Sequence, residues 1–491
     1  MWLPSFLKGK KADAAPLYLY NTLSKSKEEF HLPPYAKAVR MYNCGPTVYG
    51  VQHIGNLSMF VFTDILRRTL EYNALEVLQV INFTDFGHLT SDADEGDDKM
   101  IRGLTRDGLT PTLENMREMG KKYAELFKGD LTKLNIDISK ITFPFASDYI
   151  PAQIAMIKTL EEKGYAYTSS RGVYFDTARF PDYGKLGAID LKGQREGARV
   201  EADADKRNAT DFILWKSSDR LGWDSPWGKG FPGWHIECSA MINSILGKQI
   251  DIHTGGIEHI GVHHNNEIAQ SESATGKRPF SRFWMHRAHL QIDDAKIAKS
   301  DGNTVHLTDI IEKGFHPLAL RYLFLTAHYR TSANFTWAAL EAAQTSLLKL
   351  RRFVDSEEKT GSVPAKLNAT IRRHLNDDLD TPAAIALLWE MLKDPEVSRA
   401  DAKAAVLDAD RVLGLGLDKP DPLAESLCKK TFGVSVTLEA LPGRVEKLIT
   451  ARETARKEKN WQQADSLRNE LQKLGYTLED TAEGPRIFKK D

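Results

Sequence analysis

Cysteine is scarce in this chain: 491 residues hold three, Cys44, Cys238 and Cys428. Three thiols cannot build a disulfide framework, which points to a reducing, cytoplasmic compartment. Long hydrophobic runs are missing as well. No stretch reaches the roughly eighteen apolar residues that a membrane helix needs, so a membrane protein is not expected. At the N-terminus a short apolar run (Trp2, Leu3, Phe6, Leu7) precedes Lys8, Lys10 and Lys11. That charge order is the reverse of a secretory signal. Nor is there an excess of one charge: 66 Lys and Arg against 67 Asp and Glu give a formal net charge of −1. A polyanionic partner must therefore be met by local patches. No internal repeat is present, and the length allows three or more domains around a large core.

What the chain does have is one stretch crowded with metal-ligating side chains. Gly233-Trp234-His235-Ile236-Glu237-Cys238 is followed by His253-Thr254-Gly255-Gly256 and by His263-His264-Asn265-Asn266-Glu267. His263 and Glu267 are four apart and share one face if Asn265 to Thr275 is helical, as its small polar residues without Pro or Gly allow. Cys238, His263 and Glu267 then offer three donors that suit zinc. The fourth candidate is Cys44, placed after the apolar run Ala38 to Tyr42, where open α/β sheets bind ligands at strand ends. The expectation is a Cys44/Cys238/His263/Glu267 zinc site. The competing explanation is a pair of buried thiols and a surface His-Glu pair.

The surroundings read as a nucleotide fold. A strand over Ala38 to Tyr42, the turn Cys44-Gly45-Pro46-Thr47-Val48-Tyr49-Gly50, His53-Ile54-Gly55-Asn56, a helical pattern from Leu57 and a strand over Val77 to Phe83 make a βαβ unit. A polyphosphate at that helix N-terminus would meet unpaired N–H groups and the positive dipole end. Gly55 permits close approach, and His53 and Asn56 can donate to phosphate oxygens. A plain helix start also explains H-x-G-x. Gly255-Gly256 end a second strand suited to a ribose or adenine. Lys296 and Lys299, in Lys296-Ile297-Ala298-Lys299-Ser300, suit a mobile loop carrying ammonium charge to a leaving phosphate. The acidic loop from Ser91 to Asp98 reads as solvated. Helices are expected over Leu113 to Leu134, around Ile154 to Leu160, and repeatedly beyond Leu307. Residues Gly414 to Pro422 read as a linker. A locally basic helical pair follows, from Val445 to about Asn460 and from Trp461 to Leu474.

Together Cys44-Gly45-Pro46-Thr47-Val48-Tyr49, the 53–56 turn, Pro232 to Met241, His263 to Ser271 and Lys296-x-x-Lys299-Ser300 resemble the cysteinyl-tRNA synthetases, a family of class I aminoacyl-tRNA synthetases. The resemblance implies an α/β fold. It comprises a Rossmann-like nucleotide-binding catalytic domain with an inserted α+β domain, then a helical bundle and a small C-terminal tRNA-binding domain. The corresponding segments are an arm (1–36), the catalytic halves (37–134 and 231–306), the insert (135–230), the bundle contacting the tRNA stem (307–420) and the anticodon-binding domain (421–491). The family's zinc ligands fall on Cys44, Cys238, His263 and Glu267. Its ATP contacts fall on Pro46, Gly50, His53, Gly55, Asn56, Gly255, Gly256, Glu258 and Lys299. Gly45, Thr84, Trp234 and His235 line the amino-acid pocket, and His53, Asn56, Lys296 and Lys299 are the catalytic set. Several positions depart from the family pattern: Asn56 replaces a second histidine, Ile297-Ala298 replaces Met-Ser, and Glu258 to Val262 replaces an Asp-Leu-x-Phe-Pro run. Phe488 replaces a tryptophan.

The implied reaction joins L-cysteine to ATP as cysteinyl-adenylate, then to tRNA(Cys), in a monomer using one zinc ion and Mg2+ with its ATP. Zinc binding the substrate thiolate would reject serine, whose hydroxyl is a poor ligand. Selectivity of order 10⁴ would remove the need for editing. Two rivals are a cysteine ligase acting on an amino sugar through the same adenylate, and a catalytically silent tRNA-binding paralogue.

Overall fold

The computed structural model describes residues 15–86, 99–187, 205–292, 295, 296, 304–481 and 484–490. β1 (Tyr18–Asn21) and β2 (Ser26–Glu29) form an antiparallel hairpin. The second strand, SKEE, has no apolar residue and gave no sequence signal. β3 (Val39–Asn43) and β4 (Val77–Ile81) pair in parallel, linked by α1 (Ile54–Tyr72). Four of the five β3 residues are buried, as for a strand covered on both faces. α1 starts three residues before the Leu57 expected from periodicity. Gly55 and Asn56 are weak helix formers, but His53 caps the helix by accepting the Asn56 N–H on its ring.

α2 (Lys99–Arg106), α3 (Leu113–Lys133) and β5 (Ile141–Thr142) follow. β5 lies within the segment read as an insert, yet it pairs in parallel with β4. After α4 (Ile150–Glu162), β6 (Ala166–Ser169), β7 (Gly172–Phe175), β8 (Phe212–Ser217) and β9 (Gly230–Pro232) build a separate antiparallel sheet in that order. β9 runs straight into α5 (Trp234–Ile245) through Gly233. A Cβ on Gly233 would lie 2.1 Å from the Ile213 carbonyl oxygen, so only glycine fits. β10 (Ile250–Gly256), α6 (His263–Thr275) and β11 (Ser281–Arg287) then complete the central parallel sheet, ordered β11-β10-β3-β4-β5.

From β3 the sheet grows outward through β4 and β5, while β10 and β11 extend it on the other side. The order reverses between β3 and β10, and ligands of such sheets bind beyond the strand ends at that point. The β1–β2 hairpin braces the β11 edge: Thr22 N–H donates to the Trp284 carbonyl at 2.8 Å.

β12 (Leu290–Ile292), β13 (Ala295–Lys296) and β14 (Ala333–Phe335) form a small sheet. The remaining helices are α7 (Leu307–Glu312), α8 (Pro317–Leu325), α9 (Trp337–Ser356), α10 (Ala365–Asn376), α11 (Thr381–Met391), α12 (Arg399–Leu413) and α13 (Pro422–Phe432). They pack into a bundle fastened to α1 by a buried charge cluster. Asp64 meets Arg321 at 2.6 Å, Arg68 at 2.7 Å and Arg67 at 2.5 Å. These guanidinium groups hold the Asp64 carboxyl down to about 2 against the upward pull of burial. Arg321 also donates to the carbonyls of Leu413 and Leu134.

The C-terminal module has a small core of Val445, Ile449, Leu471, Tyr476, Leu478 and Ile487. It joins β15 (Val434–Val436), α14 (Gly443–Lys457), α15 (Trp461–Lys473), β16 (Tyr476–Thr481) and β17 (Gly484–Lys489). Among the described residues no helix is long and apolar enough to cross a membrane.

Candidate active site and metal cluster

A cleft of about 470 Å³ opens at the β3/β10 reversal. Its rim is the first turn of α1, with His53, Gly55 and Asn56 on the lining. His53 Nδ1 accepts the Asn56 N–H at 3.3 Å, which puts the proton of the neutral ring on Nε2. The Asn56 amide donates to Gln52 Oε1 at 2.6 Å. The Gly55 N–H has no protein acceptor among the described residues. An orphan donor at a helix N-terminus facing a cleft is suited to an anion.

The floor is built by the turn after β3. Gly45 N–H donates to Asn82 Oδ1 at 2.9 Å, and a Cβ on Gly45 would stand 1.6 Å from the Asn82 carbonyl oxygen. Without a side chain at 45 the turn folds against β4 and presents Cys44 and Pro46 to the cleft. From the other side α5 brings Trp234 and Cys238, and α6 brings His263. One ligand atom each from Cys44, Cys238, His263 and Glu267 lies within 4.8 Å of the others, all four residues being buried. The His263–Glu267 spacing of one helical turn gives Nε2 to Oε1 at 2.8 Å.

This donor set is electrically unsettled. The Cys44 thiol lies against Cys238, holding Cys238 down to about 6 with help from His263. Burial, then Cys238, pushes Cys44 well up. Burial lowers His263, but Glu267 and Cys238 outweigh it and hold it up to about 10. Glu267 stays well below the usual carboxylate range: burial raises it, and His253 and His263 more than reverse that. Two buried sulfurs, an imidazole and a carboxylate are a donor set for a dication.

A second layer of histidines fixes the donors. His253 Nε2 meets Glu267 Oε2 at 2.7 Å, and His235 Nδ1 meets His263 Nδ1 at 2.9 Å. His264 Nε2 lies 3.4 Å from Cys44 Sγ, its Nδ1 is 2.8 Å from His286 Nε2, and His286 Nδ1 is 2.8 Å from Thr22 Oγ1. Cys44, His253, His264 and Glu267 also bring donor atoms within 4.8 Å of one another.

The remaining expected residues fall in three places. Gly45, Thr84, Gly256 and Glu258 line the cleft. Thr84 Oγ1 donates to Glu237 Oε2 at 2.8 Å, and burial pushes the Glu237 carboxyl well up. His235, Gly255 and Glu267 sit behind the wall; a Cβ on Gly255 would be 2.6 Å from the rings of His259 and His264. Gly50 lies off the lining, backed by Arg106. Lys296 is placed by its backbone, in β13 opposite Gln291. Lys299 and the acidic 91–98 loop lie outside the described residues. Sequence reasoning passed over Glu237, Asn82, His286 and Arg287; a lone polar residue in a strand or helix does not announce that it is buried at a cleft.

A parallel sheet whose order reverses at a cleft, beside a helix N-terminus with an orphan N–H, describes the catalytic domain of a class I aminoacyl-tRNA synthetase. The family model for the tRNA synthetases class I (C) catalytic domain matches residues 31–345. The fold is shared with the Mycobacterium tuberculosis methionyl-tRNA synthetase in complex with methionyl-adenylate, at a TM-score of 0.51 and 14% identity over 80% of this chain and 93% of that one. Among curated relatives, the cysteine--tRNA ligase 1 of Burkholderia lata is 45% identical over 96% of this chain and 97% of its own length. The Treponema denticola cysteine--tRNA ligase is 38% identical over 96% and 99%. A second model, the cysteinyl-tRNA ligase anticodon binding domain, matches residues 438–485. The chain belongs to the cysteine--tRNA ligase family.

Proposed function

We propose that the chain activates L-cysteine with ATP to cysteinyl-adenylate and passes the cysteinyl group to the 3′ adenosine of tRNA(Cys), selecting its substrate by the thiol. The observation that carries this reading is the Cys44/Cys238/His263/Glu267 cluster opening on the floor of the cleft whose rim is the α1 N-terminus. Zinc suits those four residues, since two are soft sulfur donors and the others are an imidazole and a carboxylate; when bound it would favour a substrate thiolate over a hydroxyl.

The chain's own residues do the rest. The cysteine carboxylate attacks the α-phosphorus and pyrophosphate leaves. His53, the Asn56 amide and the Gly55 N–H take the charge that builds on phosphate oxygens, with Mg2+ accompanying ATP. Lys299, and Lys296 beside it, supply ammonium charge to the leaving group. Pro46, Gly255, Gly256 and Glu258 shape the nucleotide side, and Gly50 shapes the turn that leads to it. Gly45, Thr84, Trp234 and His235 shape the amino-acid side. In the second step a ribose hydroxyl of the terminal adenosine attacks the carbonyl and AMP leaves. The anticodon-binding domain match weighs against the amino-sugar ligase, which has no anticodon to read. The phosphate donors kept at 53–56 weigh against a silent paralogue.

Pyrophosphate exchange with cysteine and with serine, before and after zinc removal by a chelator, tests the reading. Cysteine-dependent exchange that is lost with the metal is expected. No cysteine-dependent exchange would remove the enzymatic reading, and exchange indifferent to zinc would remove the metal's role.

A further inference from the structure

Arg287 ends β11, opposite Gly256 in the register. It lines the cleft although only 5% of it is exposed. Its Nε donates to Ser58 Oγ at 2.9 Å, and Ser58 Oγ donates onward to the Gly55 carbonyl at 2.6 Å. Phe324 faces the guanidinium with its ring centroid 5.7 Å away. Burial alone pulls Arg287 down to about 10, and no acid offsets it; it remains charged at neutral pH. The other buried arginines among the described residues all have an acid or carbonyls at their Nη groups: Arg351 donates to the Lys419 and Gly416 carbonyls and lies 4.0 Å from Asp421. Asp64 answers Arg67 and Arg321, and Asp480 answers Arg452.

A guanidinium carries five N–H donors. Here the Nε–H is used, and no protein acceptor for the two Nη groups is found among the described residues. A buried charge with idle donors is costly unless something that enters the site pairs with it. We propose that Arg287 is a nucleotide-binding residue: its Nη donors take a hydrogen-bond acceptor of ATP while Nε anchors it to the first turns of α1. This rests on the ATP-dependent reading above. The ligand is ATP and not cysteine because the hydrogen bonds from Arg287 lead through Ser58 to Gly55 on the rim, whereas no hydrogen bond or ion pair among the described residues joins it to Cys44, Cys238, His263 or Glu267. The acceptor is either a phosphate oxygen or an atom of the adenosine moiety, and the two behave differently in competition.

The test uses the full chain with Arg287→Gln and Arg287→Lys, in pyrophosphate exchange and in calorimetric binding of ATP and of adenosine. The expected result for Arg287→Gln is an ATP KM raised about tenfold or more, the loss typical of a hydrogen bond to a charged group. The cysteine KM should stay within about twofold and the melting temperature should not fall, because an unpaired buried charge has been removed. Arg287→Lys, which keeps the charge but not the fork, should fall between. Adenosine affinity unchanged assigns the contact to phosphate; adenosine weakened in step with ATP assigns it to the base or ribose. An ATP KM within about twofold of the parent, or both KM values rising with a lower melting temperature, overturns the proposal. Calorimetry reads ATP binding even if the parent shows no cysteine-dependent exchange, so the two readings fail separately.

Discussion

Replacing Cys238 by serine isolates what sulfur does in this site. The side chain is 2% exposed, and serine is nearly isosteric, so the fold should hold. The chemistry should not. Cys44 and His263 hold the Cys238 thiol down to about 6, so near pH 7.5 the thiolate is favoured. A serine hydroxyl does not ionise there and is a poor zinc ligand. Changes to groups merely behind a metal ligand cost about 10–100-fold in affinity. Loss of a ligand should therefore cost at least about 100-fold, close to 3 kcal/mol. Atomic emission after dialysis should find zinc reduced to a trace. In pyrophosphate exchange the cysteine KM should rise by about two orders of magnitude or more while the ATP KM holds within about twofold. Discrimination against serine should shrink in parallel. A variant that keeps its zinc and its cysteine KM would refute the role given to the cluster.

Gly45→Ala places a Cβ 1.6 Å from the Asn82 carbonyl oxygen, so the turn after β3 must shift. We expect exchange activity to fall by about 100-fold, since even a displacement near 1 Å can cost that much, with circular dichroism of the folded protein unchanged. Asp64→Asn leaves buried guanidinium charge unanswered and should cost about 3–5 kcal/mol in urea unfolding of the catalytic core and bundle. The same carboxylate predicts a pH effect. Its folded value of about 2 lies below the unfolded 3.8, so its stabilisation is complete above pH 4 and fades as pH falls from about 4 to 2. Acid titration of the parent against Asp64→Asn should show the two converging in that window. Ending the chain before residue 433 removes a module with its own core; cysteine-dependent exchange should persist within about threefold while charging of tRNA(Cys) falls by at least about tenfold.

The strong periodic segments were legible because burial writes itself into their patterns. β3, β4, α1 and α3 were all visible as apolar runs or 3.6-residue stripes. β5 was not: two residues, Ile141 and Thr142, carry no period. β2 is all polar or charged and is held by its hairpin register. β16 and β17 pair through backbone; Tyr476, Leu478 and Ile487 join the small core, while Phe488 faces the other side under Arg352. The four metal donors could be nominated from residue chemistry, but not the histidines behind them. Nothing about His253 or His286 in the sequence tells that each ends up buried beside a donor or its neighbour, because that depends on strand order.

The same strand order braces the thiol floor. The floor donors are held through residues of β10, β11 and the hairpin loop after β1: Glu267 through His253, and His264, beside Cys44, through His286 and Thr22. A sheet held on both faces gives those rings little freedom, so the spacing among two sulfurs, one ring nitrogen and one oxygen is set before any ligand arrives. The nucleotide rim rests on one helix turn, on Gly255-Gly256 at the end of β10 and on loop residues. The expected departures from the family pattern at Asn56 and Glu258 both line the nucleotide side of the cleft, and none is expected at Cys44, Cys238, His263 or Glu267. A zinc ion held on that floor would tell sulfur from oxygen by its preference for thiolate, and the four residues that would hold it must keep their spacing. Phosphate charge can be met by any donor of suitable reach, and on this rim an asparagine amide, an orphan Gly55 N–H and a buried guanidinium can supply such donors.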